Sequence, residues 1–272
     1  MEGIFFSRAS RITFPLLGLG IFFVATNTLG TTMSTRRTSM ATLRNATRPN
    51  LHFLVTTCLE AGSRDYLRQF QYERGIGSLF RQIKKLELSH FTVTLVDCGP
   101  SRPTFLDRFK QVDVIYTNTN AKPDIEKGVR EIWAVKSVIR QKRLRTFDLV
   151  VKMTGRYYFA ETSPFMEQLA RLDRKQTFAL VKWGSYLAPR ATAIPHSFGP
   201  GDCTTGLIMA NVGTLLAIEE RPIIEHRWAE AILALPAERV MSIETRLGIF
   251  MAPNRNNFTL DRPVRPVTEV ER

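Results

Sequence analysis

The stretch FDLVVKMTGRYYF, residues 147–159, decides the fold that we predict for this chain. Its first five residues are apolar or β-branched apart from Asp148, which is typical of a strand buried on both faces of a parallel sheet. The next residues place two cations, a hydroxyl and a glycine in a segment that we interpret as a turn: Lys152, Thr154, Gly155 and Arg156. Ligands of open α/β sheets bind beyond the carboxyl ends of the strands, so this turn is a candidate site. An ordinary surface turn with solvated cations is the alternative interpretation.

Strands and helices alternate on both sides of this central strand. Apolar runs of strand length predict five more strands, at residues 51–57, 90–96, 112–117, 177–183 and 206–211. Apolar residues at helical spacing, together with capping residues, predict four helices, at residues 64–86, 125–143, 164–174 and 222–235. This alternation predicts an α/β fold in which a mainly parallel sheet carries helices on both faces.

Glycine and proline mark two special places in this pattern. Gly75 and Gly77 fall in the middle of the first predicted helix, which they are expected to weaken. Residues 188–202 contain three prolines and two glycines, so we interpret them as an irregular loop near the site.

Composition limits the classes of protein that the chain can represent. Its 272 residues leave room for one domain of catalytic size behind a hydrophobic leader. The formal net charge of +13 indicates an anionic partner, which charge alone leaves open as a nucleotide, a sugar phosphate, a nucleic acid or an acidic membrane. Three cysteines without a CxxC pair exclude a dense disulfide scaffold and argue against structural zinc. No P-loop, GxSxG, HExxH, GxGxxG, zinc-finger or RNP signature occurs.

The sequence divides into a leader and one domain. Residues 1–11 form a basic flank, and residues 12–30 are apolar enough for a transmembrane signal anchor or a signal peptide. Residues 31–50 are typical of a polar stem, residues 51–262 of a single domain and residues 263–272 of a C-terminal tail. We expect a single-pass membrane protein whose domain lies in a lumen of the Golgi or ER type.

The leader has alternative interpretations. Four arginines follow the apolar run and two precede it, which counts against a lumenal domain under the positive-inside rule. Residues 3–59 contain no acid and are rich in Ser, Thr and Arg, as in organellar transit peptides, while cleavage of a signal peptide would give a secreted protein. Asn45 and Asn257 begin N-glycosylation triplets, which are consistent with a lumenal domain.

The order of four motifs resembles a known family. The motifs are KMTGRYYF at residues 152–159, GDCTTGLIMAN at 201–211, PIIEHRWAEAI at 222–232 and RLGIFM at 246–251. This order resembles an uncharacterised glycosyltransferase-like group of large algal viruses, algae and bacteria. More distantly, it is similar to GT-A enzymes of the fringe and β-1,3-galactosyltransferase type. The resemblance covers residues 51–253 and implies a GT-A-like, Rossmann-like domain.

The resemblance also implies a donor, an acceptor and a cofactor. The similar enzymes take a nucleotide-sugar donor and a glycan or other hydroxyl acceptor, and their DxD motif holds a divalent cation such as manganese on the diphosphate. In this chain no two aspartates lie two residues apart, and the corresponding turn carries Lys152, Thr154 and Arg156. We therefore assign no metal ligands, and a divalent cation such as manganese stays open as a cofactor. Cations and backbone amides can neutralise a leaving diphosphate, so we expect Lys152, Thr154, Gly155 and Arg156 to bind it.

Other candidate residues lie at strand and helix ends. Asp97 follows a strand and resembles the acid that holds a ribose in dinucleotide folds, although an aspartate that only caps its turn is an equal interpretation. The resemblance implies a general base at Glu225 first and Asp202 second, and an exposed glutamate in a first helical turn is the alternative for Glu225. The resemblance also places Thr204, Thr205, Gly206 and His226 on the acceptor side, although a turn into a core strand is the alternative for residues 204–206. Trp183 is a candidate for stacking on a sugar, with core packing as the alternative.

These observations lead to one function and two alternatives. The expected function is transfer of a sugar from a nucleotide-sugar to a hydroxyl acceptor, without a metal because the DxD motif is missing. The same missing motif makes an inactive or lectin-like protein, which binds glycans or nucleotides, the first alternative. A basic nucleic-acid-binding protein is the second alternative, against which the hydrophobic leader and the lack of a recognition motif argue.

Overall fold

A computed structural model of the chain describes residues 49–59, 66–184 and 203–251. These ranges contain nine strands: β1 Leu51–Thr57, β2 Phe91–Asp97, β3 Asp113–Tyr116, β4 Leu149–Thr154, β5 Tyr157–Phe159, β6 Ala179–Val181, β7 Leu207–Asn211, β8 Val240–Ser242 and β9 Ile249–Met251. They also contain five α-helices: α1 Tyr66–Lys85, α2 Lys127–Gln141, α3 Pro164–Arg171, α4 Val212–Ala217 and α5 Ile224–Leu233.

Seven of the strands form one sheet in the order β3-β2-β1-β4-β7-β6-β8. Strand β1 pairs in parallel with β2 and β4, β2 with β3, and β6 with β8. Strand β7 runs antiparallel to both of its neighbours, β4 and β6. The predicted α/β class with a mainly parallel sheet is therefore confirmed, and the reversed direction of β7 is an addition to it.

Each face of the sheet carries its own hydrophobic core, because successive side chains of a strand point to opposite faces. Leu149, Val151 and Met153 of β4 pack in the core that α1 and α3 cover. Val150 packs on the other face, in the core covered by α2, α4 and α5. Lys152 follows Val150 by two residues, so the alternation places its side chain beneath α2. The prediction of helices on both faces is thus confirmed.

The central strand begins and ends later than its sequence suggests. Phe147 is 47% exposed, whereas Asp148 is buried and its carboxylate accepts hydrogen bonds from the backbone N of Asn50 at 3.0 Å and the guanidinium of Arg145 at 2.7 Å. These two residues therefore form the capped entry to β4 and are not part of the strand. At its other end β4 continues through Thr154, which places Lys152 inside the strand and corrects its assignment to the turn.

Several short elements were not expected from the sequence. A two-stranded ribbon pairs β5 with β9, and the three-residue strand β8 closes one edge of the main sheet. Helix α4 follows β7 directly, and the Asn211 side chain caps it by accepting a hydrogen bond from the backbone N of Thr214 at 2.8 Å. Elements of three to six residues leave little periodicity to recognise, which explains why the sequence does not predict them.

Several predicted segments lie outside the described residues. They are the basic flank 1–11, the apolar run 12–30, the stem up to residue 48, the loop 188–202 and the tail 263–272. Within the part of the chain that the structure describes, no helix is long and apolar enough to span a bilayer.

Candidate functional site

A cleft of about 430 Å³ opens where the carboxyl ends of β1 and β4 meet. Residues 56–58 at the end of β1 form one part of its wall, and residues 203–206, which lead into β7, form another. The first two turns of α2 and the start of α5 complete the lining that is described. Because β7 is antiparallel, its first residues reach the same edge of the sheet as the last residues of β1 and β4.

The structure brings most of the predicted site residues together in this cleft. Those that line it are Lys152, Thr154, Arg156, Thr204, Thr205, Gly206 and Glu225. Gly155 forms the turn behind them, and its backbone N donates to the carbonyl of Thr56 at 2.9 Å. Asp202 lies outside the described residues. The chemical roles of all these residues stay predictions.

Three other predicted residues lie outside the cleft lining. Asp97 is fully buried, and its carboxylate accepts hydrogen bonds from the Thr57 hydroxyl at 2.8 Å and from the backbone N of Leu59 and Gly99 at 3.0 and 2.8 Å. This geometry matches the turn-capping interpretation. Trp183 is buried, and its Nε1 donates to the Ser242 hydroxyl at 3.0 Å. His226 is half-buried on α5.

Lys152 is 2% exposed and is held entirely by protein acceptors. Its ammonium lies 2.9 Å from Oε1 of Glu131, 2.8 Å from the carbonyl of Thr205 and 3.3 Å from the hydroxyl of Thr154. An ammonium has three protons to donate, so these three acceptors use its full capacity. Lys152 therefore ties β4 to helix α2 and to the segment that leads into β7.

Glu131 is a residue of the cleft that the sequence did not reveal. Its Oε1 accepts a hydrogen bond from the Thr56 hydroxyl at 2.5 Å in addition to its ion pair with Lys152. Burial alone would raise the pKa of Glu131, but the charge of Lys152 and the Thr56 hydroxyl outweigh burial and hold this pKa below its ordinary value. A lysine on the buried face of a strand requires an opposite charge nearby, which is the signal that could have found Glu131.

The cleft is rich in cations. Five of its described lining residues are basic and three are acidic, and the basic ones are Arg68, Lys127, Arg130, Lys152 and Arg156. Arg130 donates to the amide oxygen of Asn120 at 3.1 Å, and its buried Nε meets no acceptor among the described residues. For Arg156, no described residue forms an ion pair or accepts a hydrogen bond from the guanidinium. Arg156 is therefore available to an anion in the cleft.

The turn that carries Arg156 is fixed by contact between two glycines. A Cβ on Gly75 of α1 would lie 2.0 Å from the carbonyl oxygen of Gly155 and 2.7 Å from that of Tyr157. A Cβ on Gly155 would lie 2.9 Å from the Tyr72 ring. Helix α1 can approach the turn only because both side chains are missing. Gly155 does not adopt a positive φ, so close packing explains this glycine.

Glu225 supplies another carboxylate to the cleft lining. It lies in the first turn of α5, and its backbone carbonyl accepts a weak hydrogen bond from the Cys203 thiol at 3.8 Å. None of the described residues donates a hydrogen bond to its carboxylate. A carboxylate in the same cleft as Thr204 and Thr205 has the chemistry of a base for a hydroxyl bound there.

The described residues do not fit a divalent cation. No group of three or more His, Cys, Asp and Glu side chains comes together in the described parts of the chain. Where the resemblance implies an acidic motif at the end of β4, the structure places Lys152 and Arg156. Cations at that position would repel a metal ion.

Comparisons with known proteins support only a remote likeness. No family model matches the chain, and no curated protein matches it. A UTP-bound UGPase from Acinetobacter baumannii is 12% identical with a TM-score of 0.43, over 77% of this chain and 90% of that one. The Pyrobaculum calidifontis mannosyltransferase, in complex with GDP-mannose and Mn²⁺, is 14% identical with a TM-score of 0.43. The match covers 77% of this chain and 59% of the mannosyltransferase.

A third solved structure is similar at the same remote level. A glycosyltransferase involved in glycosylation of the major capsid of PBCV-1 is 7% identical with a TM-score of 0.36, over 72% of this chain and 82% of that one. At such identities and scores these likenesses assign no activity to the chain.

The contact between α1 and the Arg156 turn leads to a first prediction. Gly75→Ala is expected to lower the free energy of unfolding by roughly 1–3 kcal/mol, because the added Cβ collides with backbone carbonyls. Gly77→Ala is the matched control: its Cβ meets nothing closer than Arg81 at 3.7 Å, so better helix propensity should raise stability by about 0.5–1 kcal/mol. Urea unfolding of both variants measures the difference. Equal stabilisation by the two substitutions would contradict the packing that we describe.

The ion pair beneath α2 leads to a second prediction. Lys152→Met should lower the free energy of unfolding by roughly 3 kcal/mol, because it leaves the Glu131 charge without its partner. This value is at the low end of the losses seen when one partner of a buried ion pair is removed, since the Glu131 side chain is 26% exposed. The double variant Lys152→Met with Glu131→Leu should recover most of this loss, since no charge is left unpaired. Urea unfolding of the wild type, both single variants and the double variant completes the cycle. Additive losses would show that the two side chains do not stabilise each other.

Proposed function

We propose that the chain is a GT-A-like glycosyltransferase that moves a sugar from a nucleotide-sugar to a hydroxyl group of a glycan or other acceptor, without a metal ion. The observation that carries this proposal is the unpaired guanidinium of Arg156 in the cleft, at the end of the central strand. A cleft of about 430 Å³ has the volume of a small-molecule site.

The cations of the cleft would bind the diphosphate of the donor. A guanidinium can bind phosphate oxygens with two parallel hydrogen bonds, and Arg156 and Arg130 both have unused donors. Arg68 and Lys127 add positive charge at the same opening. This charge would stabilise the negative charge that develops as the diphosphate leaves. Lys152 supports the wall through Glu131 and Thr205, since its own donors are engaged.

Glu225 would accept the proton of the acceptor hydroxyl. In this reaction the hydroxyl oxygen attacks the anomeric carbon of the donor sugar, the bond from that carbon to the diphosphate oxygen breaks, and the proton moves to the Glu225 carboxylate. Thr204, Thr205 and Gly206 form the wall beside which the acceptor would lie. Asp202 remains the second candidate for the base, and Asp97 is assigned a structural role in this scheme.

The location of the enzyme is part of the proposal. Residues 12–30 would hold the domain at a membrane, with the domain in the lumen, where nucleotide-sugars and glycan acceptors meet. Cleavage of this segment would give a secreted form, and a transit peptide would send the protein to an organelle.

Donor binding by Arg156 is a third prediction. In thermal-shift measurements on the full chain, one member of a panel of UDP-, GDP- and CMP-sugars is expected to raise the Tm in EDTA as much as in manganese. Arg156→Ala should weaken that donor at least tenfold, since a hydrogen bond to a charged group contributes roughly 1.5–3 kcal/mol. Arg171→Ala, an exposed arginine of α3, is the control and should bind like the wild type.

Release of nucleoside diphosphate from the bound donor would then show turnover. Binding without release of nucleoside diphosphate in the presence of acceptors would favour the lectin-like alternative. A shift that requires manganese would contradict metal independence, and the absence of any shift would contradict the proposed donor class.

The role of Glu225 is a fourth prediction. Glu225→Gln should lower kcat by roughly 10²- to 10⁴-fold, because glutamine cannot accept the proton, and should leave donor affinity unchanged. Glu238→Gln, on an exposed turn away from the cleft, should leave both quantities at the wild-type level. An unchanged kcat in Glu225→Gln would assign the base elsewhere, and Asp202→Asn is the next variant to measure.

A further inference from the structure

Among the described residues, the partners of the Glu131 carboxylate all bind one of its two oxygens. Oε1 is held by the Lys152 ammonium at 2.9 Å and by the Thr56 hydroxyl at 2.5 Å. None of the described residues donates a hydrogen bond to Oε2. The side chain is 26% exposed and lines the cleft, so Oε2 is open to whatever the cleft contains.

Three elements hold this oxygen in place. Glu131 comes from the second turn of α2, Thr56 from β1 and Lys152 from β4, and both strands lie in the interior of the sheet. Thr56 and Lys152 are both buried. A carboxylate fixed by two buried partners cannot turn away from a ligand, so its open oxygen has a defined direction. Such rigidity is typical of a group that selects a ligand.

The charge of Glu131 determines which part of a ligand can approach it. An ionised carboxylate only accepts hydrogen bonds, and it repels phosphate oxygens. The anionic part of a ligand must therefore lie near the arginines, and a neutral part that carries hydroxyl groups must lie near Glu131. The ion pair with Lys152 also keeps Glu131 ionised, which suits an acceptor of hydrogen bonds and not a base that must take up a proton.

We infer that Glu131 is a specificity-determining residue whose free oxygen accepts hydrogen bonds from hydroxyl groups of the sugar in the cleft. The inference deepens the proposed function, on which it rests for the nature of the ligand. Two parts of a nucleotide-sugar carry such hydroxyls, the transferred sugar and the ribose. Their chemistry toward a carboxylate is the same, and the test separates them.

The experiment compares the full-length wild type with Glu131→Gln, which replaces a charged acceptor by a neutral one. The double variant Glu131→Gln with Lys152→Met removes both charges, so that no buried ammonium is left unpaired. Glu238→Gln is the matched control on an exposed turn. Calorimetric titration with the nucleotide-sugars, their nucleoside diphosphates, the 2′-deoxy nucleoside diphosphates and free monosaccharides gives the affinities.

We expect the nucleotide-sugar to bind about tenfold more weakly to both Glu131 variants than to the wild type and to Glu238→Gln. If the nucleoside diphosphate binds all proteins equally, the hydroxyls belong to the transferred sugar. If the nucleoside diphosphate also binds the Glu131 variants about tenfold more weakly, while the affinity of its 2′-deoxy form is unchanged, the hydroxyls belong to the ribose. Both results support the inference. Equal affinities of wild type and both variants for every ligand would overturn it.

Failure of the proposed function has a different signature. If no nucleotide-sugar binds the wild type, the donor assignment fails, and the free monosaccharides still test Glu131. Monosaccharide binding that weakens in both Glu131 variants would support a sugar site in a protein that is not a transferase. If the wild type binds neither nucleotide-sugars nor monosaccharides, the inference is overturned together with the proposed function.

Discussion

The burial of one ammonium group determines how the cleft is built. Lys152 occupies the face of β4 where α2 packs, so water cannot solvate its charge. The cost of this burial is offset because Glu131, Thr154 and the carbonyl of Thr205 surround the ammonium. These partners come from a helix, a strand and the approach to a strand. Their common attachment to Lys152 fixes the floor of the cleft and leaves Arg156, four residues further on, free for a ligand.

Most strands of the sheet could be predicted from local sequence. The features that could not be predicted depend on contacts between residues that are far apart in the chain. The strand at residues 51–57 was predicted with its exact bounds from the stretch LHFLVTT, and all seven of its residues are buried. The direction of β7 depends on a neighbour, β4, that lies more than fifty residues earlier, and local periodicity carries no information about it. The role of Gly75 could not be predicted either. A glycine is needed there because helix α1 contacts the carbonyl oxygen of Gly155, and this contact forms only in the folded protein.

The site was predictable to the extent that strand ends meet at one edge of the sheet. From that rule we could predict that Lys152, Thr154, Arg156 and the residues before β7 lie in one site. The rule does not predict the direction in which a polar side chain at a strand end points. Asp97 turns back into its own loop, because three nearby donors satisfy its carboxylate there. Glu131 was missed because it lies on a helix, where sequence periodicity marks the buried apolar stripe but not an acid beside it.

The pairing of Lys152 with Glu131 also limits how sequences of this kind can diverge. The two positions are 21 residues apart in the chain, yet a change of one leaves the other as an unpaired charge. Evolution can therefore exchange this pair for another only through a less stable intermediate or through a simultaneous change. In an alignment of relatives, the two positions should vary together as a coupled pair. A reversed pair is disfavoured, because an acid on the strand could not donate to the carbonyl of Thr205.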